Sequence, residues 1–261
     1  ILSIRNVIIR FGGVVALAGV SFDVEPGQIC GLIGPDGSGK TTLFNCISGI
    51  YRHPEGHIIF SGQPLKGVPR HRMAALGIGR TFQNVALFRR LTVADNILVG
   101  AHHLGRAGFA AHMLRLPVVR AEEREARAGL ADLLHLLDLE TVAGAVAGSL
   151  PFPTQKRVEM ARALITRPRL LLLDEPASGL NHAEVDELAL LLQRIRRSFD
   201  LTILLVEHHM SLVMRVSEKV VALEFGRKIA DGTPGEVRAE PEVIRAYLGE
   251  TEETAQHATA P

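Results

Sequence analysis

The chain has 261 residues, 47% of them hydrophobic, enough to bury a large core as one large domain or two small ones. Its 29 basic and 28 acidic residues leave a formal charge of +1, so no global field recruits nucleic acid or anionic lipid. Two cysteines, Cys30 and Cys46, stand apart in apolar surroundings without C-x-x-C spacing. That argues against metal ligation or a disulfide and for a reducing cytoplasm. No signal-like segment opens the chain, and no apolar run reaches the roughly 18 residues needed to span a bilayer. A soluble protein is expected, one able to dock on a membrane protein. The first residue is Ile1 rather than methionine, the look of a chain trimmed or cut from a longer polypeptide.

In chain order, "LSIRNVIIRF" and "VSFDV" alternate β-branched and polar positions and predict strands of a small sheet. "QICGLIG" is continuously apolar, the mark of a strand buried on both faces, and it runs through a glycine-rich turn into a helix, "KTTLFNCISGI". From Val93 to about Leu139 the pattern turns helical. Its clearest part, "EEREARAGLADLLHLLDL" (122–139), repeats apolar residues at helical spacing with charges opposite. A further helix follows in "SLPFPTQKRVEMARAL" (149–164), with two prolines and a phenylalanine at its entrance. "RLLLLDE" (169–175) and "LTILLVE" (201–207) are two more buried strands, separated by a helical pattern over 183–198. Strand, helix, strand of this kind means parallel βαβ construction. The expectation is an α/β core, 1–83 and 166–250, carrying an inserted helical segment, 84–165, with a disordered tail, 251–261.

"GPDGSGKT" places Gly34, Pro35, Asp36, Gly37, Ser38, Gly39, Lys40 and Thr41 on the P-loop pattern G-x-x-x-x-G-K-[ST], with Thr42 next in the helix. Glycines let the backbone wrap a polyphosphate so that successive N–H groups point inward. The helix opening near Lys40 adds its positive dipole end. Lys40 then neutralises the β- and γ-phosphates, and the Thr41 hydroxyl ligates Mg²⁺. "LLLLDEP" (170–176) supplies carboxylates at the end of a buried parallel strand, where ligands of open α/β sheets bind. Asp174 is expected to hold Mg²⁺ through water, and Glu175 to polarise the attacking water as general base.

The order of P-loop, "RTFQN" (80–84), helical segment, 149–164, "LLLLDEPASGLN" (170–181) and "LLVEHHM" (204–210) resembles the ATP-binding cassette of ABC transporters over nearly the whole chain. The resemblance implies a P-loop NTPase of the α/β class, a single domain over 1–250. Its mixed sheet would have a RecA-like parallel core, an N-terminal antiparallel β subdomain and an inserted α-helical subdomain. It also implies ATP with Mg²⁺. Gln83 becomes the glutamine that meets Mg²⁺ and the attacking water. Ser178, Gly179, Leu180 and Asn181 become the loop that talks across a dimer, and His208 the switch histidine at the γ-phosphate. Taken singly, Gln83 is also readable as a loop amide and His208 as a strand-end histidine. His209 stands where an acidic residue is expected. Phe11 is placed like the aromatic that stacks on adenine, and as an isolated residue it reads equally as core.

Within that family, "TFQNVALFRRLTVADNILVGAH", "VEHHM" and "DGTPGEVRAEPEVIRAYLGE" (231–250) look like the ATP-binding subunits of branched-chain amino acid importers, to which urea and short-chain amide importers are closely similar. The implied partners are a second ATPase subunit, transmembrane permeases and, indirectly, an extracytoplasmic solute-binding protein. No nucleic acid is implied. The implied location is peripheral, on the cytoplasmic face of the membrane. The other class, a non-transport ABC ATPase of DNA repair, translation or iron–sulfur assembly, is disfavoured because no long coiled-coil or zinc insertion and no second cassette is visible. Arg70, Arg72, Arg80, Arg89 and Arg90 read as a solvated face or the rim of a permease groove, and Gln83 to Leu91 as the surface that receives the permease.

By the same resemblance, residues 149–164 hold the signature segment, usually close to L-S-G-G-Q, which completes the partner's ATP site. Leu150 keeps its place, Pro151, Phe152 and Pro153 replace Ser-Gly-Gly, and Thr154 and Gln155 follow. Proline in a first helical turn costs the fold nothing but removes one N–H that would meet the γ-phosphate. Pro153 is also expected to bias Phe152 towards extended geometry. Thr154 or Ser149 is the replacement donor if the segment still binds phosphate; if not, the two ATP sites of the pair are asymmetric.

Overall fold

The computed structural model describes residues 1–51, 55–81, 83, 85–104 and 117–247, so the expected tail, 251–261, lies outside the described residues. β1 (Leu2–Phe11), β2 (Val14–Val24), β4 (Glu55–Phe60) and β5 (Gln63–Pro64) form an antiparallel sheet in the order β2-β1-β4-β5. On β1 the buried residues are Leu2, Ile4, Val7 and Ile9, so the alternation slips by one residue in the middle. A register shift between Ile4 and Val7, with Asn6 at φ 45°, absorbs the extra residue and keeps all four on one face. Gly56 lies against this bulge, where a Cβ would stand 2.2 Å from the Asn6 carbonyl oxygen.

The second sheet has the order β10-β9-β3-β8-β7-β6. It comprises β3 (Ile29–Ile33), β6 (Ile78–Arg80), β7 (Leu170–Asp174), β8 (Thr202–Val206), β9 (Lys219–Glu224) and β10 (Arg227–Gly232). The strands from β9 to β6 run parallel, and β10 closes the edge antiparallel to β9. β3, β7 and β8 are buried along their whole length, which is why they read as unbroken apolar runs. Their alternate side chains feed two cores. Leu171, Leu173, Ile203 and Leu205 join the helices on one face, while Leu170, Leu172, Leu204 and Val206 join the antiparallel sheet and Phe44 on the other.

On the helical face, α6 (His182–Phe199) buries Val185, Leu188, Leu192 and Ile195 and is started by a reciprocal Asn181–Glu184 capping box. α3 (Val93–Gly100) is capped by Thr92, whose hydroxyl accepts the Asp95 N–H at 3.1 Å. α4 (Pro117–Leu136) covers most of the predicted 122–139 helix but stops earlier, passing into a 3₁₀ turn at Glu140–Val142. α5 (Phe152–Leu164) packs with α3 and α4, and Ile97, Leu133, Val158 and Leu164 merge with the sheet's core. α1 (Lys40–Ile47) follows the P-loop, and α2 (Met73–Leu76), α7 (Met210–Val216) and α8 (Pro234–Ala239) are short. No helix among the described residues is long and apolar enough to cross a membrane. Cys30 and Cys46 are free and buried, and burial pushes both thiols up to about 12, so they behave as apolar filling.

Candidate functional site

The parallel sheet gathers the carboxyl ends of β3, β7 and β8 at one edge, since Leu32 and Asp174 both lie opposite Val206. The loop after β3 turns through Gly34 (φ 148°), Gly37 (φ 77°) and Gly39 (φ 101°) before α1 begins at Lys40. A Cβ on Gly34 would stand 2.1 Å from the Leu223 carbonyl, so only glycine fits this path. The turn between β9 and β10 braces the loop from outside, with the Gly226 N–H donating to the Ser38 carbonyl at 3.0 Å. Lys40 is buried and donates to the carbonyls of Gly34 (2.7 Å) and Pro35 (2.8 Å), so its ammonium is folded into the concavity. Asp36 and Gly37 form the exposed tip, and the Ser38 hydroxyl is buried without a hydrogen-bond partner. An orphaned buried hydroxyl, a turn that only glycines can follow and a fixed cation fit a bound polyphosphate.

Glu175 begins the next turn at φ 47°, a left-handed conformation that costs a residue with a Cβ roughly 1–2 kcal/mol. Its N–H donates to the Val206 carbonyl at 2.9 Å. The turn aims the carboxylate at the two other residues named for catalysis. The Gln83 amide donates to Glu175 Oε2 at 2.9 Å, and His208 Nδ1 lies 4.0 Å from the same oxygen. Gln83, Glu175 and His208 are therefore one constellation. Ser178, Gly179, Leu180 and Asn181 leave this turn, the first donating its N–H to the Glu175 carbonyl at 3.1 Å and the last capping α6. Thr41 is exposed and Thr42 half-buried at the start of α1. Phe11 is 47% exposed and meets Tyr51 edge-on at 5.3 Å, which excludes the core reading.

Three residues of the site escaped the sequence. Arg80 does not belong to a solvated face: its side chain is largely covered, and its guanidinium pairs with Asp174 at 2.9 Å. It also donates to Asn45 Oδ1 (2.8 Å) and to the Ser48 hydroxyl, both on or beside α1. Burial lifts the Asp174 carboxyl above its ordinary range, and the charge of Arg80 pulls it back. Removing the arginine strands a buried carboxylate, so Arg80→Met should cost about 3–5 kcal/mol. Urea unfolding should show it, with the Arg80→Met/Asp174→Asn double variant recovering part of the loss. Glu207, wholly buried, takes the Ala177 N–H at 2.6 Å and the N–H groups of His208 and His209 at 3.2 Å, and so joins the loops after β7 and β8. Its place at the end of an apolar strand was the available signal. Lys156 is the third.

The segment expected to hold the signature opens α5. Pro151 is the N-cap, and Phe152 is the first helical residue rather than extended, because the helix takes Pro153 as its second residue and draws its neighbour into the turn. Pro153 brings no N–H, and the Gln155 N–H already donates to Pro151 at 3.0 Å. Phe152 and Thr154 thus keep the first-turn amides. The Gln155 side chain donates to the Leu150 carbonyl at 2.8 Å, and the Ser149 hydroxyl donates to Val146 at 2.8 Å, into its own loop.

A family model described as "ABC transporter" matches residues 17–178. The chain belongs to the ABC transporter family. A second model, "Branched-chain amino acid ATP-binding cassette transporter", matches residues 227–253 of this ABC chain. It is 44% identical over 250 residues to the high-affinity branched-chain amino acid transport ATP-binding protein BraF of Pseudomonas aeruginosa, covering 96% of this chain and 98% of that one. To LivG of Escherichia coli, a protein of the same description, it is 42% identical with the same coverage. A nucleotide-free ATP-binding cassette from an ABC transporter superposes with a TM-score of 0.81 at 28% identity, over 95% of this chain and 98% of that one. The ABC chain is accordingly a nucleotide-binding ATPase domain, with the α/β fold and mixed sheet expected of it.

Proposed function

We propose that this chain is the ATP-hydrolysing subunit of an importer for branched-chain amino acids or related small solutes, held peripherally on the cytoplasmic face by permease subunits and paired with a second cassette. The carrying observation is the specific family match at 227–253, a segment that holds none of the site residues named above and so is free to mark lineage. Substrate choice then rests with the permeases and a solute-binding protein.

Within the site, Lys40 and the amides of 34–41 bind the triphosphate, and Glu175 draws the proton of the attacking water. Gln83 holds the Glu175 carboxylate and orients that water, while His208 faces the γ-phosphate. The hard oxygen donors of Thr41, Gln83 and Asp174 fit Mg²⁺, which supplies charge neutralisation of the phosphates when bound. In the paired state the first turn of α5 faces the partner's nucleotide. With Pro153 in place that turn offers fewer amides than an intact signature, so a second cassette with an intact signature would make the two sites unequal.

The permease seat is the groove of about 320 Å³ between the two parts of the chain, lined by Ile78, Arg80, Phe88, Val99, Arg162 and Thr166 among others. Phe88 is 53% exposed at its rim. Phe88→Asp is expected to lose permease in pull-down while Mg-ATP affinity stays unchanged; retained permease would count against the seat. The function itself is tested in proteoliposomes holding the permeases, both cassettes and the binding protein. ATPase activity should rise with leucine, isoleucine or valine. A rise with urea or short-chain amides alone would reassign the substrate, and no rise with any of them would remove the importer reading.

A further inference from the structure

Lys156 lies in the signature helix, and its side chain turns into its own chain. Its ammonium is buried and donates to two carbonyls of its own chain, Glu175 at 3.2 Å and Pro176 at 2.8 Å. These carbonyls turn inward because Glu175 adopts the left-handed conformation, which the chain must hold against its intrinsic preference. A single cation meeting both oxygens is suited to hold it there. The Phe152 ring covers this cation, its centroid 5.2 Å from Lys156 Nζ. The same ring lies against Gly179, where a Cβ would stand 3.0 Å from Phe152 Cε1. Burial draws the lysine pKa below its ordinary range, opposed by the charges of Glu207, Glu159 and Glu175.

We infer that Lys156, roofed by Phe152, is a positioning residue: it fixes the Glu175 turn from the signature helix, so that a shift of that helix is felt at the hydrolytic carboxylate of the same chain. The residue standing where a signature glycine is expected has thus become part of an internal brace between α5, the 178–181 loop and Glu175. The site that α5 would present to a partner and the site the chain holds itself are then mechanically joined. The inference rests on Glu175 being the hydrolytic carboxylate.

The test uses the assembled complex with Lys156→Met, Lys156→Arg and, as reference, Glu175→Gln. Misaligning a reacting group by an ångström costs up to about 100-fold, so Lys156→Met should lower kcat roughly 10- to 100-fold. Its KM for ATP and its calorimetric Mg-ATP affinity should hold, because the P-loop is untouched. Lys156→Arg, which keeps the cation and its donors, should restore most of kcat. A Lys156→Met complex with wild-type kcat overturns the inference. So does an equal fall in kcat and affinity together with a lowered melting temperature, or an arginine variant as poor as methionine. If Glu175→Gln itself hydrolyses ATP normally, the failure belongs to the assignment of the carboxylate rather than to the brace.

Discussion

Glu175→Gln should lower the ATPase rate by about 10²- to 10⁴-fold, the range for loss of a general base, while Mg-ATP affinity stays within a few-fold. The substitution keeps the side chain's shape and leaves the backbone that shapes the turn alone. Its N–H still meets Val206 and its carbonyl still meets Lys156. What goes is the acceptor for a water proton, and with it the charge that Gln83 and His208 converge on. Single-turnover hydrolysis set beside a nucleotide titration separates the two quantities. A fall in kcat with unchanged binding is the expected pattern; an unaltered rate would move the base elsewhere.

Lys40→Ala has the opposite signature, because it strikes binding as well as chemistry. The ammonium is held in the loop by Gly34 and Pro35, so its position is prepaid before any phosphate arrives. A hydrogen bond to a charged group is worth roughly 1.5–3 kcal/mol, which predicts a loss of ATP affinity of about 10- to 150-fold. Charge that develops on the γ-phosphate in the transition state is then left without its preorganised partner, lowering turnover by a further 10²- to 10³-fold or about that. Titration calorimetry and the steady-state rate, measured on the same preparation, read both.

The unbroken apolar strands β3, β7 and β8 and the glycine spacing of the P-loop were legible because burial on two faces and a wrapped anion each leave a local pattern. The meeting of Gln83, Glu175 and His208 came from resemblance alone, since no spacing brings positions 83, 175 and 208 together. Charged residues were the hardest to place. Arg80 sits in a basic stretch and looks like surface until its partner, Asp174, arrives from a strand far along the chain. Lys156 looks like an ordinary helix-surface lysine, and only the left-handed turn at Glu175 turns two carbonyls towards it. The bulge at Asn6 shows as a slip in the alternation, visible once the strand's partners are known. Phe152 was expected to be extended because the residue before a proline avoids the helical region, yet the packing of α5 overrides that preference.

The most direct measurement is a calorimetric titration of the purified protein with Mg-ATP, beside Lys40→Ala. Saturable heat at one site per chain, reduced in the variant as above, is the expected outcome. A folded wild-type protein that gives no heat at millimolar Mg-ATP would contradict the nucleotide site and everything built on it.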